Sequence, residues 1–493
     1  MSHSRNSRRE FLRNLGCVAC GGTAAALLPQ LRMLGTALAS TRVSSTYQAL
    51  VCVYLYGGND AWNMLVPFDN TRYNVYAASR SGVYDATNNP GGLGLAQPTG
   101  AQVALQKIVD GNDPSSTTNQ YFLHPAMPEM ASLFNQGHLA FVVNTGSLVK
   151  PITMADYNAS SANYPAQLFS HADQTNQWQQ AWAEQGVTLG WGGQCGDVLK
   201  SANPNTQLSP CISIAGANRY EIGARTIPYQ MSSGGLTNLS GMCNPTPCAG
   251  VSSTSVRDTA LQTLLGDTYA NDFAGGYAQI FQRGRDLFNL LDTSLAGTTL
   301  NTTFPSGNSL AAQLQTVAKM IKLSMAQNFA TRQIYYVNLG SFDLHAGMMT
   351  GTNDHAALLA TLSQALSAFW TCMGPADVNA QNNVTVFTMS EFARTLQSNG
   401  SGSDHGWGTV QMALGGAVKG GKLYSNGGGP IAGFPNQALN APNNFPRGQM
   451  IPGIGVEQYA ATLAQWMGIT SPSDLATIFP NLASFGTSNL AFV

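Results

Sequence analysis

The chain is poor in charge. Lys, Arg, Asp and Glu make up 10% of its 493 residues, against about 25% for ordinary soluble domains. No basic stripe stands out, which argues against a nucleic-acid partner. Apart from the N-terminal segment, no apolar run approaches the ~20 residues that cross a bilayer. Several catalytic signatures are missing. There is no G-x-S-x-G elbow. Gly427-Gly428-Gly429 lacks the lysine and the spacing of a phosphate loop, no dinucleotide fingerprint exists, and H-E-x-x-H is absent. Beyond the N-terminal segment only Cys243 and Cys248 stand at zinc-ligand spacing, and without a second such pair a cysteine-held zinc site is the less favoured reading.

The N-terminus carries an address. Ser7-Arg8-Arg9-Glu10-Phe11-Leu12 has the form of a twin-arginine export signal, followed by a mildly apolar Gly/Ala-rich run to Leu31 and the small-x-small site Ala37-Leu38-Ala39. The run is short for a membrane anchor and is broken by Pro29 and Arg32. The expectation is a signal peptide over residues 1–39, with the twin-arginine translocase as a transient partner. A bacterial periplasmic or secreted location follows. Such export carries proteins already folded. Removing the segment takes five Arg and one Glu, leaving 18 basic against 23 acidic residues. The neutral-polar surface of Gly, Asn, Ser, Thr and Gln fits secretion.

Six cysteines lie beyond residue 39. An oxidising compartment permits disulfides. Cys243 and Cys248 flank a turn-forming Asn-Pro-Thr-Pro, and Cys195 and Cys211 share a loop-rich stretch, so each is a candidate pair. Residues 195–255, rich in Pro, Gly and Ser, read as a disulfide-braced insertion. Cys52 and Cys372 read as buried thiols.

Elsewhere the pattern is α/β. Ala49–Tyr56, Leu139–Val143, Ile334–Leu339 and Val384–Thr388 are apolar, β-rich runs of the length of buried strands. Helical periodicity covers 125–135, 257–295, 309–328, 355–373 and 456–467. Leu314, Val317, Ile321 and Met325 fall on one face, as do Leu358, Leu362, Leu366 and Phe369. Residues 85–120 read as loop, and 398–448 as loops around one short apolar stretch. The expected architecture is one doubly wound, mostly parallel α/β domain over 40–493, which binds ligands beyond the carboxyl ends of its strands.

The acids and histidines fall at such places. The first strand ends in Gly57-Gly58-Asn59-Asp60. The third ends before Gly340-Ser341-Phe342-Asp343-Leu344-His345, and the fourth before Ser390-Glu391-Phe392-Ala393-Arg394. A Gly-rich loop then carries Asp404-His405. Carboxylates with a few imidazoles suit a divalent cation: zinc, manganese, magnesium or calcium. Each piece has a plainer reading: Asp60 as a helix cap, Asp343 with His345 as a surface loop pair, Asp404-His405 as turn chemistry, Glu391 with Arg394 as a helix-surface pair. Ser170, in Phe169-Ser170-His171-Ala172-Asp173, is a candidate nucleophile and equally a candidate helix N-cap. Both suit the positive end of a helix dipole.

Taken in order, Gly-Gly-x-Asp, Ser-His, Gly-x-Phe-Asp-x-His, Ser-Glu-Phe-x-Arg-Thr and Asp-His-Gly-Trp-Gly resemble a bacterial secreted family named domain of unknown function 1501. The resemblance runs from about Leu50 to Ile469. That family in turn resembles the alkaline phosphatase/sulfatase superfamily. The resemblance implies an alkaline phosphatase-like fold, with Asp60, Asp343, His345, Glu391, Asp404 and His405 as metal ligands and Ser170 as nucleophile. His171 or Arg394 would steady the substrate's non-bridging oxygens. The implied substrate is a small anionic phosphate or sulfate ester. Departures are plain: Asp343 and His345 are one residue apart where three is usual, and Phe392 follows Glu391 where histidine is usual. The alternative is a secreted protein on the same fold, binding an extracellular polymer or assembling with a partner after its catalytic site has decayed.

Overall fold

The structure, a computed structural model, describes residues 46–159, 164–184, 188–205, 208–236, 253–425, 434–442 and 444–493. The export segment lies outside them. Among the described residues no helix is long and apolar enough to cross a membrane.

The fold is mixed α/β around one large sheet. Its strands are β1 (Gln48–Leu55), β2 (Leu139–Gly146), β3 (Cys211–Ser213), β4 (Tyr229–Gln230), β5 (Arg332–Leu339), β6 (Val384–Met389), β7 (Thr409–Gly415), β8 (Leu423–Ser425) and β9 (Ile454–Gly455). They lie in the order β8-β2-β7-β6-β1-β5-β3-β4, with β9 beside β2. β7 runs antiparallel to both its neighbours, β2 and β6. The other pairings are parallel.

β1 shows why the sheet is buried on both faces. Its side chains alternate sides. Ala49, Val51, Val53 and Leu55 enter one core, and Leu50, Cys52 and Tyr54 the other. A strand apolar at every position has no face to offer water, so helices must cover both sides. On the first side lie α1 (Pro128–Asn135), α4 (Asp272–Gly297), α5 (Ser309–Gln327) and α6 (His355–Cys372). On the second lie α2 (His171–Gln180), α3 (Trp191–Leu199) and α7 (Val456–Trp466). Each fully buried Leu or Val contributes about 1.5–3 kcal/mol. Leu314, Val317 and Ile321 of α5 and Leu362 and Leu366 of α6 are buried, as their spacing implied.

Several expectations need correction. Cys195 and Cys211 are not bonded to each other. Both are buried free thiols, as are Cys52 and Cys372. Cys195 sits on α3 and Cys211 in β3, whose Sγ donates to the Gly192 carbonyl at 3.6 Å. Both are fixed by the packing of α3 on the sheet, so this stretch needs no covalent brace. Cys243 and Cys248 lie outside the described residues. The start of the expected insertion is thus part of the central fold. The expected helix 257–295 is two helices, Ser253–Leu265 and α4, because the Asn271 side chain caps the amides of Phe273 and Ala274 and starts a new helix. The expected loop 85–120 contains a helix, Gln102–Gln106, and a strand, Lys107–Val109. The latter joins Gln120–Leu123 and Leu65–Pro67 in a small second sheet.

Candidate metal centre

Three adjacent parallel strands, β6, β1 and β5, deliver their following loops to one edge of the sheet. The loops meet closely. Gly57 and Gly58 have φ of +113° and +77°, and a Cβ on Gly57 would stand 2.4 Å from the Asp343 amide nitrogen. Glycine is needed there because side chains are excluded both by backbone angle and by the approach of the neighbouring loop. The Gly57 amide donates to Glu391 Oε1 at 2.7 Å, tying the β1 and β6 loops together. A fourth segment arrives as a ribbon. Arg394–Ser398 pairs antiparallel with Ser403–His405, placing Arg394 opposite His405.

The groups that converge are His171, Asp343, His345 and His405. His171 Nε2 lies 3.3 Å from Asp343 Oδ2. His345 Nε2 and His405 Nε2 lie 3.1 and 3.3 Å from Asp343 Oδ1. The last two imidazole nitrogens are 3.0 Å apart. His171, Asp343 and His405 each present a ligand atom within 4.8 Å of the others.

The far side of each ring is held. His171 Nδ1 is 2.9 Å from Glu391 Oε1, His345 Nδ1 is 2.9 Å from Asp404 Oδ1, and His405 Nδ1 is 2.7 Å from the Phe169 carbonyl. These partners accept hydrogen bonds and cannot donate them, so each Nδ1 carries the proton. In a neutral ring Nε2 is then a bare lone pair. The Asp343 carboxylate lies 3.1–3.3 Å from all three Nε2 atoms, two of which are 3.0 Å apart, and bare lone pairs and a carboxylate so placed repel unless positive charge lies among them. Four ligands around a tetrahedral ion with bonds of about 2.0–2.1 Å stand roughly 3.3 Å apart. The His171 Nε2 atom is buried and makes no hydrogen bond; its approach to Asp343 is close but not aligned as one. Second-layer partners on each imidazole are the usual companions of metal-binding histidines. The donor set fits a divalent cation.

Electrostatics follow the contacts. The hydrogen bond His171 donates to Glu391, outweighing partial burial, raises the His171 pKa. Burial lowers that of His405, with the Phe169 carbonyl opposing and Arg394 adding to the fall. Burial alone would raise Asp343, but the hydrogen bond and charge of Arg394 carry it below its usual value. Asp404 is brought down to about 2: burial pushes up, and the hydrogen bonds of Asn399, Arg447 and His345 prevail.

The remaining predicted residues take other places. Glu391 and Asp404 stand behind His171 and His345. Arg394, 1% exposed, donates to Asp343 Oδ1 at 2.6 Å and to the Gly57 carbonyl at 3.1 Å. It holds the carboxylate and does not face solvent, whereas Asp343 itself is 43% exposed. Asp60 is not among the converged groups. It is buried against Arg80, which also donates to the Thr395 carbonyl at 2.9 Å. Ser170 caps α2: its Oγ accepts from the Asp173 amide and donates to Asp173 Oδ2 at 2.6 Å. It still lies between two residues that touch the cluster, Phe169 and His171. Phe169 has φ of +69°, a strained angle for a non-glycine residue and one that recurs at functional sites.

His171 was expected to meet substrate, and it faces Asp343 instead. Sequence reasoning missed Arg447, a half-buried cation paired with Asp404, and Phe169, whose contribution is a carbonyl. A backbone acceptor leaves no mark on side-chain identity, and Arg447 lies 43 residues from its partner.

The molecule is thus a mixed α/β protein with a three-histidine, one-aspartate cluster beyond the carboxyl ends of its parallel strands. A family model described as a protein of unknown function (DUF1501) matches residues 307–429. That span contains Asp343, His345, Glu391, Arg394, Asp404 and His405. No curated protein matches the sequence. Among solved structures, the chain is similar to the lipoteichoic acid synthase LtaP from Listeria monocytogenes. The match has 9% identity, spans 84% of this chain and 76% of that one, and has a TM-score of 0.29. So loose a superposition carries no argument about fold or activity.

Proposed function

We propose that the chain is an exported, divalent-metal-dependent hydrolase of phosphate or sulfate esters on an alkaline phosphatase-like fold. The reading rests on one observation: three imidazole lone pairs and a carboxylate converge, and every imidazole is locked from behind. His171, His345, His405 and Asp343 would hold the ion, and an imidazole-rich set favours zinc or manganese over magnesium or calcium. A cation bound there supplies Lewis acidity toward an ester oxygen or a nucleophile.

The protein's own groups do the rest. Glu391, Asp404 and the Phe169 carbonyl fix the ring tautomers. Arg394 keeps Asp343 ionised and oriented. The amino end of α2 and the half-buried Arg447 guanidinium favour an anionic substrate. Ser170 is the nucleophile on this reading, and its hydroxyl proton already has an acceptor in Asp173.

A second reading, a binding or assembly protein with a decayed site, is favoured by the engagement of that hydroxyl in a helix cap. Elemental analysis of protein purified from its exported location separates the two when combined with turnover of an aryl phosphate and an aryl sulfate. The enzyme reading expects about one ion per chain, lost in His405→Ala, and turnover removed by a chelator. A stoichiometric ion with neither ester hydrolysed favours the second reading. No ion, and no uptake of added zinc or manganese, overturns the metal centre itself.

A further inference from the structure

A second concave site lies far along the sheet from the metal centre. Its wall includes Ser209 and Pro210, which precede β3, and Ile227 to Tyr229, which lead into edge strand β4. The metal centre follows the carboxyl ends of β1, β5 and β6. The groove stands at the amino ends of β3 and β4, which run parallel to them. Helix α4 closes its other side through Ile280, Arg283, Gly284 and Leu287.

Two features set this groove apart. The first is charge. Lys200, Arg225 and Arg283 line it and no carboxylate does. In a chain with so few basic residues, three in one groove is a concentration. Among the described residues none of the three is in an ion pair. Asp197 touches the neighbouring loop, but its carboxylate accepts the backbone amides of Ala224, Arg225 and Thr226.

The second is an apolar stripe. On α4, Phe273, Tyr277, Ile280, Gly284 and Leu287 follow helical spacing along one face. Leu287 is buried at the groove's floor. Ile280 is 68% exposed and Phe273 is 91% exposed. Ile227, on the opposite wall, is exposed as well. Apolar surface of this extent, continuous with a groove, marks an interaction site.

We infer that this groove binds a single-chain amphiphilic anion, with its headgroup among Lys200, Arg225 and Arg283 and its alkyl tail along the Ile227 wall and the Phe273–Ile280 stripe of α4. Charge complementarity selects the head: three cations without a counter-acid disfavour a neutral or cationic ligand. The stripe selects the tail, because a small inorganic anion would leave these apolar side chains in water. Each methylene buried strengthens binding about fourfold, so affinity grows with tail length.

The test is calorimetric titration of dodecyl phosphate, kept below its micelle concentration, into the full chain. Inorganic phosphate and dodecyl maltoside serve as the tail-less and uncharged comparisons. One dodecyl phosphate per chain is expected, with at least tenfold weaker binding of either comparison. R225Q/R283Q and I280S should each weaken it at least tenfold with an unchanged melting temperature. Equal binding of dodecyl maltoside overturns the proposal, as does affinity within twofold of wild type in both variants, or no binding at all. Binding lost in His405→Ala but kept in R225Q/R283Q would place the ligand at the metal centre and overturn it too.

Discussion

The described residues hold two histidine clusters opposite in character. His171, His345 and His405 turn their Nε2 atoms toward one carboxylate at a solvent-open edge. His124 and His355 pack edge to face, 5.7 Å between ring centres, inside the protein. His355 Nε2 meets Asn59 Oδ1 at 2.9 Å, and His124 Nδ1 accepts from the Ala126 amide at 3.1 Å. Burial pushes both rings down to about 3; at His124 the neighbouring His355 further disfavours a second charged ring, and at His355 the Arg80 and Arg394 charges add to the fall. These two are neutral core histidines. The lesson is that histidine count and loop position say little. What separates a ligand from a filler is whether the outer nitrogen is fixed and where the inner one points.

The same contrast divides the acids. Asp343 faces the cluster and Asp60 faces Arg80. If Asp60 is structural, Asp60→Ala leaves Arg80 buried and unpaired and costs about 3–5 kcal/mol. Denaturant unfolding would show that loss, while the folded protein should keep its full metal stoichiometry. Metal loss without destabilisation would move Asp60 into the site.

Next in size is Glu391→Gln. Removing the charge behind His171 should weaken metal affinity about 10–100-fold, read by competition with a zinc indicator, with little change in fold. An unchanged affinity would mean that the His171–Glu391 contact does not orient a ligand.

The buried pair should govern acid stability. The folded pKa of His355 lies below the unfolded value of about 6.5, so the folded state resists protonation. Its stabilising neutral form is fully present above pH 6.5, and stability falls as pH drops toward about 3. Urea midpoints from pH 7 to pH 5 should therefore decline less steeply in His355→Gln than in wild type. Parallel slopes would assign the acid sensitivity elsewhere.

The smallest effect tests Ser170. As a cap alone, Ser170→Ala costs about 1 kcal/mol and spares ester turnover. As the nucleophile, it abolishes turnover in a protein that still binds metal.

Much of this was legible in the sequence. The apolar runs at 49–56, 139–143, 334–339 and 384–388 became β1, β2, β5 and β6, because a strand apolar at every position has no alternative to burial on both sides. The placement of Asp343, His345 and His405 just after strands or in a Gly-rich loop foretold that they would share an edge, since parallel strands send their following loops the same way. The family-model match over 307–429 falls on those motifs.

Tertiary structure decided what each residue does there. Asp60 and Asp343 both follow a strand, but Arg80 takes one and the imidazoles take the other. Ser170 and His171 are adjacent, yet one turns back onto Asp173 and the other inward. The Phe169 carbonyl became a partner of His405 through a left-handed backbone angle that residue type does not announce. Cys195 and Cys211 stayed thiols because α3 and β3 were already fixed by packing. Sequence determined which chemistry reaches the edge, because burial and strand direction are set by local pattern. Only the fold decided which lone pair faces which charge, because that depends on contacts between segments hundreds of residues apart.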